Sequence, residues 1–434
     1  MTSRSAPISG RTSSGKGLFI GLMSGTSADG VEASLISVSR SRRAAVRLLA
    51  HRSFLFSKGL RERILRVSET PVVAGRPITG QSTADLTALH YDLGERFAAA
   101  AVGVAAAAGI RPADVTAVGS HGQTVCHRLP PPPVRSGRIG ATLQIGEPAV
   151  IAERTGVTVV ADFRPGDMAA GGLGAPLTPY AHGLLFGRPD RPVLVVNLGG
   201  IGNVTWAPAG FDPEGPAPSG RAVKGVGLKG FDTGPANMLL DAAVRKFSRG
   251  KVGFDRNGET ASRGAVDEKL LGRLLAHPFI RRGPPKATGR EDFGADALEG
   301  AVRVFLGLRK KRAMRFRSPL FCDFMATLAA FTTRSIGRQV RRFLPEADEV
   351  VVCGGGAENP VLMKGLAAEF PDARVVRSDA RGVPAHAVEG VSFALLARAA
   401  LLGVPANVPA VTGASRPVVL GKILPAAGAT GSAR

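Results

Sequence analysis

The chain has 434 residues, of which 44% are apolar and 21% are charged. This composition excludes a disordered protein, and the length favours two domains over a single core. A net charge of +22 attracts polyanions, but the chain has only one Trp and two Tyr for base stacking, so we favour a generally basic surface over nucleic-acid binding.

The first half of the chain predicts alternating strands and helices. Residues 1–16 are rich in Ser, Thr and Arg without an apolar run, so they are expected to form a flexible extension. An apolar run, a turn of small residues at 24–30 and an alternating run predict two strands within 18–35. Periodicity then predicts strands at 47–56, 115–119, 142–146 and 157–162, helices at 59–68, 84–108 and 147–155, and a Gly-rich loop at 163–177.

The second half begins with another strand, Gly turn and strand at 193–205, which indicates two related halves. Residues 230–237 are expected to open a helix, and the basic run at 309–317 is interpreted as one helix face. The remaining expectations are a surface excursion at 207–227, helices at 238–247, 269–276, 323–343, 360 onward and 386–402, strands at 349–353 and 373–377, and a basic loop at 283–292. Strands that alternate with helices make the fold α/β.

Four Gly-rich turns follow apolar strands, at 24–30, 171–174, 199–202 and 354–356. In open α/β sheets, ligands bind beyond the carboxyl ends of strands, so these turns point to one cleft that holds a phosphate. None of them fits GxxxxGK[ST] or GxGxxG, which excludes a Walker A loop and a Rossmann fingerprint.

Several charged residues have two interpretations. Asp232 could act as a general base, but its place before a helix favours an N-cap on local grounds. Glu389 lies in the first turn of the last helix, where an acid complements the helix dipole. His121 and Arg164 could contact a ligand, with Asp162 as the expected partner of Arg164. Lys286 and Arg290 are expected on a solvated loop.

At this point the chain resembles the anhydro-N-acetylmuramic acid kinases, within the superfamily of sugar kinases, heat-shock ATPases and actins. The matching stretches run in family order over nearly the whole chain: GLMSGTSADG (21–30), GSHGQT (119–124), TLQIGEPAVIAERTGVTVVADFR (142–164), GAPL (174–177), NLGGIGNVT (197–205), GFDTGPAN (230–237), PPKATGRE (284–291), DFMATLAAFT (323–332), VVCGGGAENPVLM (351–363) and VTGA (411–414).

The resemblance implies two actin-like (ribonuclease H-like) domains, each a mixed sheet flanked by helices, around a central cleft. The domains would span 17–190 and 191–434, with the last helix free to cross back. It also implies that the protein uses ATP and Mg²⁺ to open the 1,6-anhydro ring of anhydro-N-acetylmuramic acid and to phosphorylate O6. This reaction would belong to cell-wall recycling in the cytoplasm. The alternatives are a kinase of another sugar and a non-kinase ATP-driven conformational protein.

Residue roles follow from the same resemblance. Asp232 would be the catalytic base on water, which overturns the N-cap interpretation, and Glu389 would help to hold that water. His121, Thr124 and Arg164 would contact the sugar, and Asp29 would hold Mg²⁺ through water. The nucleotide would be bound by Gly25, Thr26, Ser27, Asp29, Gly30, Gly199, Gly200, Asn203, Gly354, Gly355, Gly356 and Asn359.

Two positions depart from the family pattern. Leu173 stands where Gln is usual, so a hydrogen bond to a ligand or a loop is lost there. Glu32 replaces the usual Asp and keeps the carboxylate.

The three cysteines, Cys126, Cys322 and Cys353, are widely spaced, which favours a reducing compartment without disulfides. A small-molecule sugar is the expected partner, without nucleic acid or membrane, and a homodimer is left open.

Overall fold

Buried apolar runs form the strands of two mixed sheets in the computed structural model, which describes residues 17–25, 27–39, 46–68, 72–73, 76–77, 83–129, 140–211 and 227–426. The expected extension at 1–16, Thr26 and most of the excursion at 207–227 lie outside these residues. The strands in chain order are β1 (Gly17–Ser24), β2 (Gly30–Val38), β3 (Val46–Leu55), β4 (Val72–Val73), β5 (Arg76–Pro77), β6 (Ala117–Arg128), β7 (Ala141–Ile145), β8 (Val159–Ala161), β9 (Val193–Leu198), β10 (Ile201–Ala207), β11 (Lys229–Pro235), β12 (Glu349–Cys353), β13 (Arg374–Arg377) and β14 (Lys422–Leu424).

Helices fill the connections between the strands. They are α1 (Lys58–Ser68), α2 (Thr83–Ala107), α3 (Pro148–Thr155), α4 (Phe163–Ala169), α5 (Pro179–Phe186), α6 (Asn237–Phe247), α7 (Glu268–Leu275), α8 (Pro278–Arg281), α9 (Arg290–Phe293), α10 (Ala295–Leu308), α11 (Pro319–Phe343), α12 (Pro360–Glu369), α13 (Val388–Leu401) and α14 (Pro409–Thr412). Within the described chain, no helix has the length and apolar composition needed to span a bilayer.

The two sheets share one topology. The first sheet runs β14-β8-β6-β1-β2-β3 with β7 beside β6, and the second runs β11-β10-β9-β12-β13. In each, a three-strand antiparallel meander is extended by two strands parallel to its first strand. The common order explains the repeated strand, Gly turn and strand of the sequence. The predicted α/β class, with one mixed sheet in each half, is confirmed.

The end of the chain returns to the first sheet. Helix α13 packs against β1, β2 and β6, and β14 pairs with β8 in the antiparallel direction. A buried cluster joins the two halves, with Phe19 and Ile36 from the first sheet, Val195 and Val351 from the second, and Val391 from α13. The division of the chain near residue 190 stays a prediction, but the first sheet is incomplete without the last forty residues or so of the described chain.

Glycines allow α13 to lie directly on the first sheet. A Cβ on Gly21 of β1 would overlap the carbonyl oxygen of Gly390, and one on Gly119 of β6 would overlap that of Phe393. Because the obstacle is helix backbone, it cannot rotate away as a side chain would. The seat of α13 on the sheet therefore depends on these positions, and it also sets where Glu389 lies.

We expect Gly21→Ala to lower the free energy of unfolding by about 3 kcal/mol, since the added methyl forces the helix off the strand. The matched control is Gly59→Ala in α1, where a Cβ would meet no atom within 4 Å. That change should be neutral or stabilising by less than about 1 kcal/mol. Urea unfolding followed by circular dichroism measures both variants, and equal midpoints for the two would contradict the close packing.

Three expectations about local structure are wrong. The segment 163–177 begins with helix α4, in which Pro165 occupies the first turn, where its missing N–H costs nothing. Residues 230–235 form strand β11 instead of a helix start. Helix α10 ends at Leu308, and Lys310 and Arg317 adopt left-handed backbone, so 309–317 is no helix face.

Candidate active site

A row of polar residues crosses the second sheet where its buried strands end. Asn197 of β9 lies opposite Asn203 of β10, and Asn203 lies opposite Asp232 of β11. Residues directly opposite each other in antiparallel strands project to the same face. The Oδ1 atom of Asn203 is buried and has no hydrogen-bond partner within the described part of the chain. This row is therefore one wall of a polar site with an acceptor left for a ligand.

Asp232 lies on a strand, with 6% of its surface exposed. Its backbone N–H donates to the carbonyl of Lys286 (3.3 Å), and its Oδ2 accepts a hydrogen bond from the backbone N–H of Thr288 (3.0 Å). Helix α6 begins only at Asn237, and no side chain caps it. The interpretation of Asp232 as an N-cap is wrong, and its second carboxylate oxygen is left for other contacts.

The environment of Asp232 makes it a base near neutral pH. Burial raises the pKa of the Asp232 carboxyl to about 7, and the negative charge of Glu291 adds to this rise. The hydrogen bond from Thr288 and the positive charges of Arg164 and Lys286 act in the opposite direction. A carboxyl whose pKa lies near the working pH is suited to take a proton during a reaction.

The loop that holds Asp232 is anchored by a buried lysine. Only 1% of Lys286 is exposed, and its ammonium lies 4.7 Å from the centre of the Phe279 ring and 5.2 Å from that of Phe231. The ammonium also donates to Oε1 of Gln339, whose Nε2 donates to the carbonyl of Thr233 (2.8 Å). Burial, with the charge of Arg282 nearby, lowers the pKa of Lys286 to about 7. The expected solvated loop is wrong at Lys286, and Arg290 begins the short helix α9.

Glu389 reaches the same wall from α13. Its Oε1 accepts a hydrogen bond from Nδ2 of Asn197 (3.0 Å), and a Cβ on Gly199 would lie 3.6 Å from that oxygen. Burial raises the pKa of the Glu389 carboxyl, and so does the charge of Glu32, while Asn197 and Arg164 act against the shift. Glu389 lies in the first turn of α13, as the helix-dipole interpretation requires, and its half-buried carboxyl is also held by the hydrogen bond from Asn197.

Arg164 contributes a half-buried positive charge that acts on both carboxyls. Its Nε and Nη2 lie 3.0 and 2.8 Å from Nε2 of His121, and its Nη1 donates to the carbonyl of Gly174 (2.7 Å). Burial lowers the pKa of Arg164 to about 10, and the charges of Asp232 and Glu389 oppose that shift. Arg164 therefore stays charged at neutral pH. Its expected pairing with Asp162 is wrong, since Asp162 binds Lys422 (2.7 Å).

The contact with Arg164 fixes the tautomer of His121. An arginine can only donate, so Nε2 of His121 must accept, and its Nδ1 donates to the carbonyl of Gly122 (2.8 Å). Burial and the charge of Arg164 hold the pKa of His121 well below its usual value. His121 is thus a neutral support for the arginine. Thr124, on the same strand, accepts a hydrogen bond from Nε2 of Gln144 (3.2 Å).

The two departures from the family pattern occupy different surroundings. Leu173 is 2% exposed, and its backbone N–H donates to the carbonyl of Thr412 (2.8 Å), so its side chain packs inside. Glu32 accepts from the hydroxyl of Ser53 (2.7 Å) and pairs with His51 (3.0 Å). Leu173 therefore keeps the loop anchored through backbone alone.

The third and fourth Gly turns, at 199–202 and 354–356, meet at the end of β9. A Cβ on Gly354 would overlap Oδ1 of Asn197 and the backbone of Leu198, and Gly355 faces open space. The carbonyls of Gly199 and Gly200 accept the first N–H groups of α6, so that helix start is already satisfied. Asn359 caps α12 through a hydrogen bond from the N–H of Val361 (3.0 Å), as expected for a residue before Pro360.

The first Gly turn lies within electrostatic reach of α6 in the second half of the chain. Gly25 accepts from the N–H of Ala28, Ser27 is exposed, and Gly30 begins β2. Asp29 pairs with Arg61 (2.8 Å) and also helps to raise the pKa of Asp241 on α6 to about 7, where burial is the main cause. Since the charge of Asp29 acts on Asp241, the first turn and α6 lie near each other. Thr26 is not among the described residues.

No metal cage accompanies these groups. Across the described ranges, no cluster of three or more His, Cys, Asp or Glu side chains is arranged to hold a metal ion. The residues that sequence reasoning missed are Asn197, Lys286, Thr288 and Gln339. The one usable signal was Asn197, a polar residue that ends a wholly buried strand.

Comparisons with known proteins point to one family. A family model described as anhydro-N-acetylmuramic acid kinase matches residues 17–426. The chain is similar to the protein of that name from Gloeobacter violaceus, 42% identical over 94% of this chain and 99% of the relative. It is likewise similar to that from Caldanaerobacter subterraneus subsp. tengcongensis, 39% identical over 94% and 96%. The fold is also similar to the structure of a ROK family glucokinase from Streptomyces griseus in complex with glucose and AMPPNP. That match covers 88% of this chain and 99% of the glucokinase chain, with 16% sequence identity and a TM-score of 0.35.

Proposed function

The chain belongs to the anhydro-N-acetylmuramic acid kinase family, and from that premise we propose the reaction and the role of each residue in it. The protein is an ATP-dependent sugar kinase. Its substrate is 1,6-anhydro-N-acetylmuramic acid, and its product is N-acetylmuramic acid 6-phosphate. The cytoplasm, where both ATP and a recycled cell-wall sugar are available, is the proposed place of the reaction.

Asp232 acts as the general base. It removes a proton from a water molecule that attacks C1 of the sugar, so a C1–OH bond forms as the C1–O6 bond breaks. O6 takes the electron pair of that bond and attacks the γ-phosphorus of ATP, and ADP leaves. The hydrogen bond from Thr288 holds one carboxylate oxygen of Asp232, which keeps the other directed at the water.

Glu389 and Arg164 position the reacting groups. Glu389 lies on α13 and is held by a hydrogen bond from Asn197. From there it orients the water that Asp232 of β11 deprotonates. Arg164 keeps Asp232 more acidic than burial alone would, so that a useful fraction is ionised at neutral pH. Arg164 and Thr124 contact the sugar, and His121 lies on the sugar side as the hydrogen-bond acceptor that holds Arg164.

The Gly turns hold the nucleotide. Gly25, Ser27 and Gly30 on one side and Gly199, Gly200 and Asn203 on the other offer backbone or amide groups to the phosphates, with Thr26 included in the proposal. Gly354, Gly355, Gly356 and Asn359 lie toward the rest of the nucleotide. Mg²⁺ would neutralise charge on the phosphates, and Asp29 would bind its water shell, which fits an ion that takes only one or two carboxylates.

The observation that carries the proposal is the pair of carboxyls, Asp232 buried and Glu389 half-buried, under the influence of the half-buried guanidinium of Arg164. The test is incubation with ATP, Mg²⁺ and the anhydro sugar, with mass spectrometry of the product. We expect a 6-phosphate that has gained one water, with ¹⁸O from labelled water at C1 and none in the phosphate. Failure to convert this sugar, with turnover of another amino sugar, would move the proposal to the alternative substrate.

The second candidate is an ATP-driven conformational protein, which would hydrolyse ATP slowly without a sugar. The family match speaks against it. ATP turnover that rises on addition of the sugar excludes this candidate, and turnover that ignores the sugar would favour it.

A further inference from the structure

A pocket of about 250 Å³ opens on the second half of the chain, and its lining contains none of the residues assigned above to the sugar or the nucleotide. Three arginines line it: Arg281 at the end of α8, and Arg338 and Arg342, one turn apart on α11. The buried side chain of Gln339 also lines this space. We call these four residues and the space between them the arginine pocket.

The arginines of the pocket differ from their neighbours on the same helix. Arg334 is held by Glu268 through bonds of 2.7 and 2.9 Å, and Arg341 by Glu369 at 2.6 Å. For Arg338 and Arg342, no carboxylate of the described residues comes within ion-pair distance. The helix therefore carries two kinds of arginine, one neutralised within the protein and one directed to the pocket.

The charge of the pocket is not balanced from within. None of its lining residues is acidic. Glu268 is engaged by Arg334, whose hydrogen bond is the main cause of its lowered pKa, and Arg338 acts on it only through charge. Arg282 and Arg342 also help to lower the pKa of the buried Lys286, after burial itself. The like charges of Arg338 and Arg342, one helical turn apart, repel each other. Because none of the lining residues is acidic, this cluster lacks a counter-ion.

We propose that the arginine pocket binds a small anion that carries a phosphate group. The side chains of three exposed arginines, from α8 and α11, line one concave space, and their N–H donors match the acceptor oxygens and double charge of a phosphate. A concave space of this size suits a free phosphate ion or a small phosphorylated sugar. The two sources share the chemistry that the pocket recognises.

The position of the pocket links it to the catalytic strand. Gln339 lines the pocket and donates to the carbonyl of Thr233, the residue after Asp232. Its Oε1 accepts from Lys286, whose own carbonyl accepts the N–H of Asp232. Gln339, which lines the pocket, is therefore connected to the backbone N–H of Asp232 by two hydrogen bonds through Lys286.

The test is calorimetric titration of inorganic phosphate into the full chain, at constant ionic strength, with the cleft first filled by a non-hydrolysable ATP analogue. The pocket variant is Arg338→Gln with Arg342→Gln, and the matched control is Arg334→Gln with Arg341→Gln, which removes the same charge from the same helix. We expect the Kd for phosphate to rise by at least about tenfold in the pocket variant and to change by less than about twofold in the control.

A second arm replaces phosphate with glucose 6-phosphate. Tighter binding than that of free phosphate would assign the pocket to a phosphorylated sugar, and weaker binding to the free ion. No heat beyond that of chloride for the unaltered chain, or equal weakening in both variants, would overturn the proposal. Because the titration involves no turnover, its outcome is independent of the sugar-kinase assay, and thermal unfolding of each variant confirms that it is folded.

Discussion

Replacing Asp232 with asparagine is expected to lower kcat about a thousandfold, within the range that a general base contributes. The amide has nearly the shape of the carboxylate, so the hydrogen bond from Thr288 can remain while the ability to accept a proton is lost. Release of ADP in the presence of the anhydro sugar measures the rate. Binding of the nucleotide should change little, because the proposed role of the carboxyl is on the water that attacks the sugar and not on the phosphates.

The matched control is Asp162→Asn, which removes an equal charge from a surface carboxylate paired with Lys422. It should keep kcat within about twofold of the unaltered chain, since exposed ion pairs contribute little. An Asp232→Asn enzyme with unaltered kcat would remove Asp232 from the mechanism, whatever the substrate proves to be.

Replacing Arg164 with glutamine is expected to lower kcat/KM about a hundredfold at pH 7, because the proposed contact to the sugar is lost together with a half-buried charge that favours the ionised form of Asp232. Asp232 accepts a proton only when ionised, so the activity of the unaltered chain should fall as pH drops through about 7, the pKa of that carboxyl. Loss of Arg164 raises this pKa further. The acid limb of the pH profile should then move to higher pH by roughly one unit.

The conservative variant Arg164→Lys separates charge from geometry. It retains a positive charge but not the planar fork that holds His121 and the carbonyl of Gly174. We expect its acid limb to stay near that of the unaltered chain, with a raised KM for the sugar. An acid limb that is the same in Arg164→Gln as in the unaltered chain would contradict an electrostatic role for Arg164.

Much of the architecture follows from the sequence alone. The strand, Gly turn and strand at 18–35 and again at 193–205 predict two related halves, and the sheets share one strand order. The buried strands predicted at 157–162, 193–197 and 349–353 have apolar runs at 159–161, 193–196 and 350–353, so their type needs no tertiary information. Local hydrophobic patterning determines these elements because each strand is buried as a unit.

Local signals failed where distant residues decide the conformation. Residues 230–235 contain two Gly, an Asp and a Pro, which favour a turn, yet they form a strand because β10 supplies the pairing. In the same way Lys286 follows two prolines and reads as a solvated loop residue. It is buried because Phe231, Phe279 and Phe343 come from three other elements to surround its ammonium.

The chemistry of the site also belongs to the tertiary structure. The sequence, through its resemblance to a family, pointed to two carboxyls, Asp232 and Glu389, and to the turns that are proposed to face a phosphate. It could not determine that Asp232 lies on a strand, that Thr288 holds one of its oxygens, or that Arg164 lies close enough to shift its pKa. The proton affinity of a buried carboxyl depends on desolvation and on charges many residues away in the chain, and only the folded structure brings those groups together.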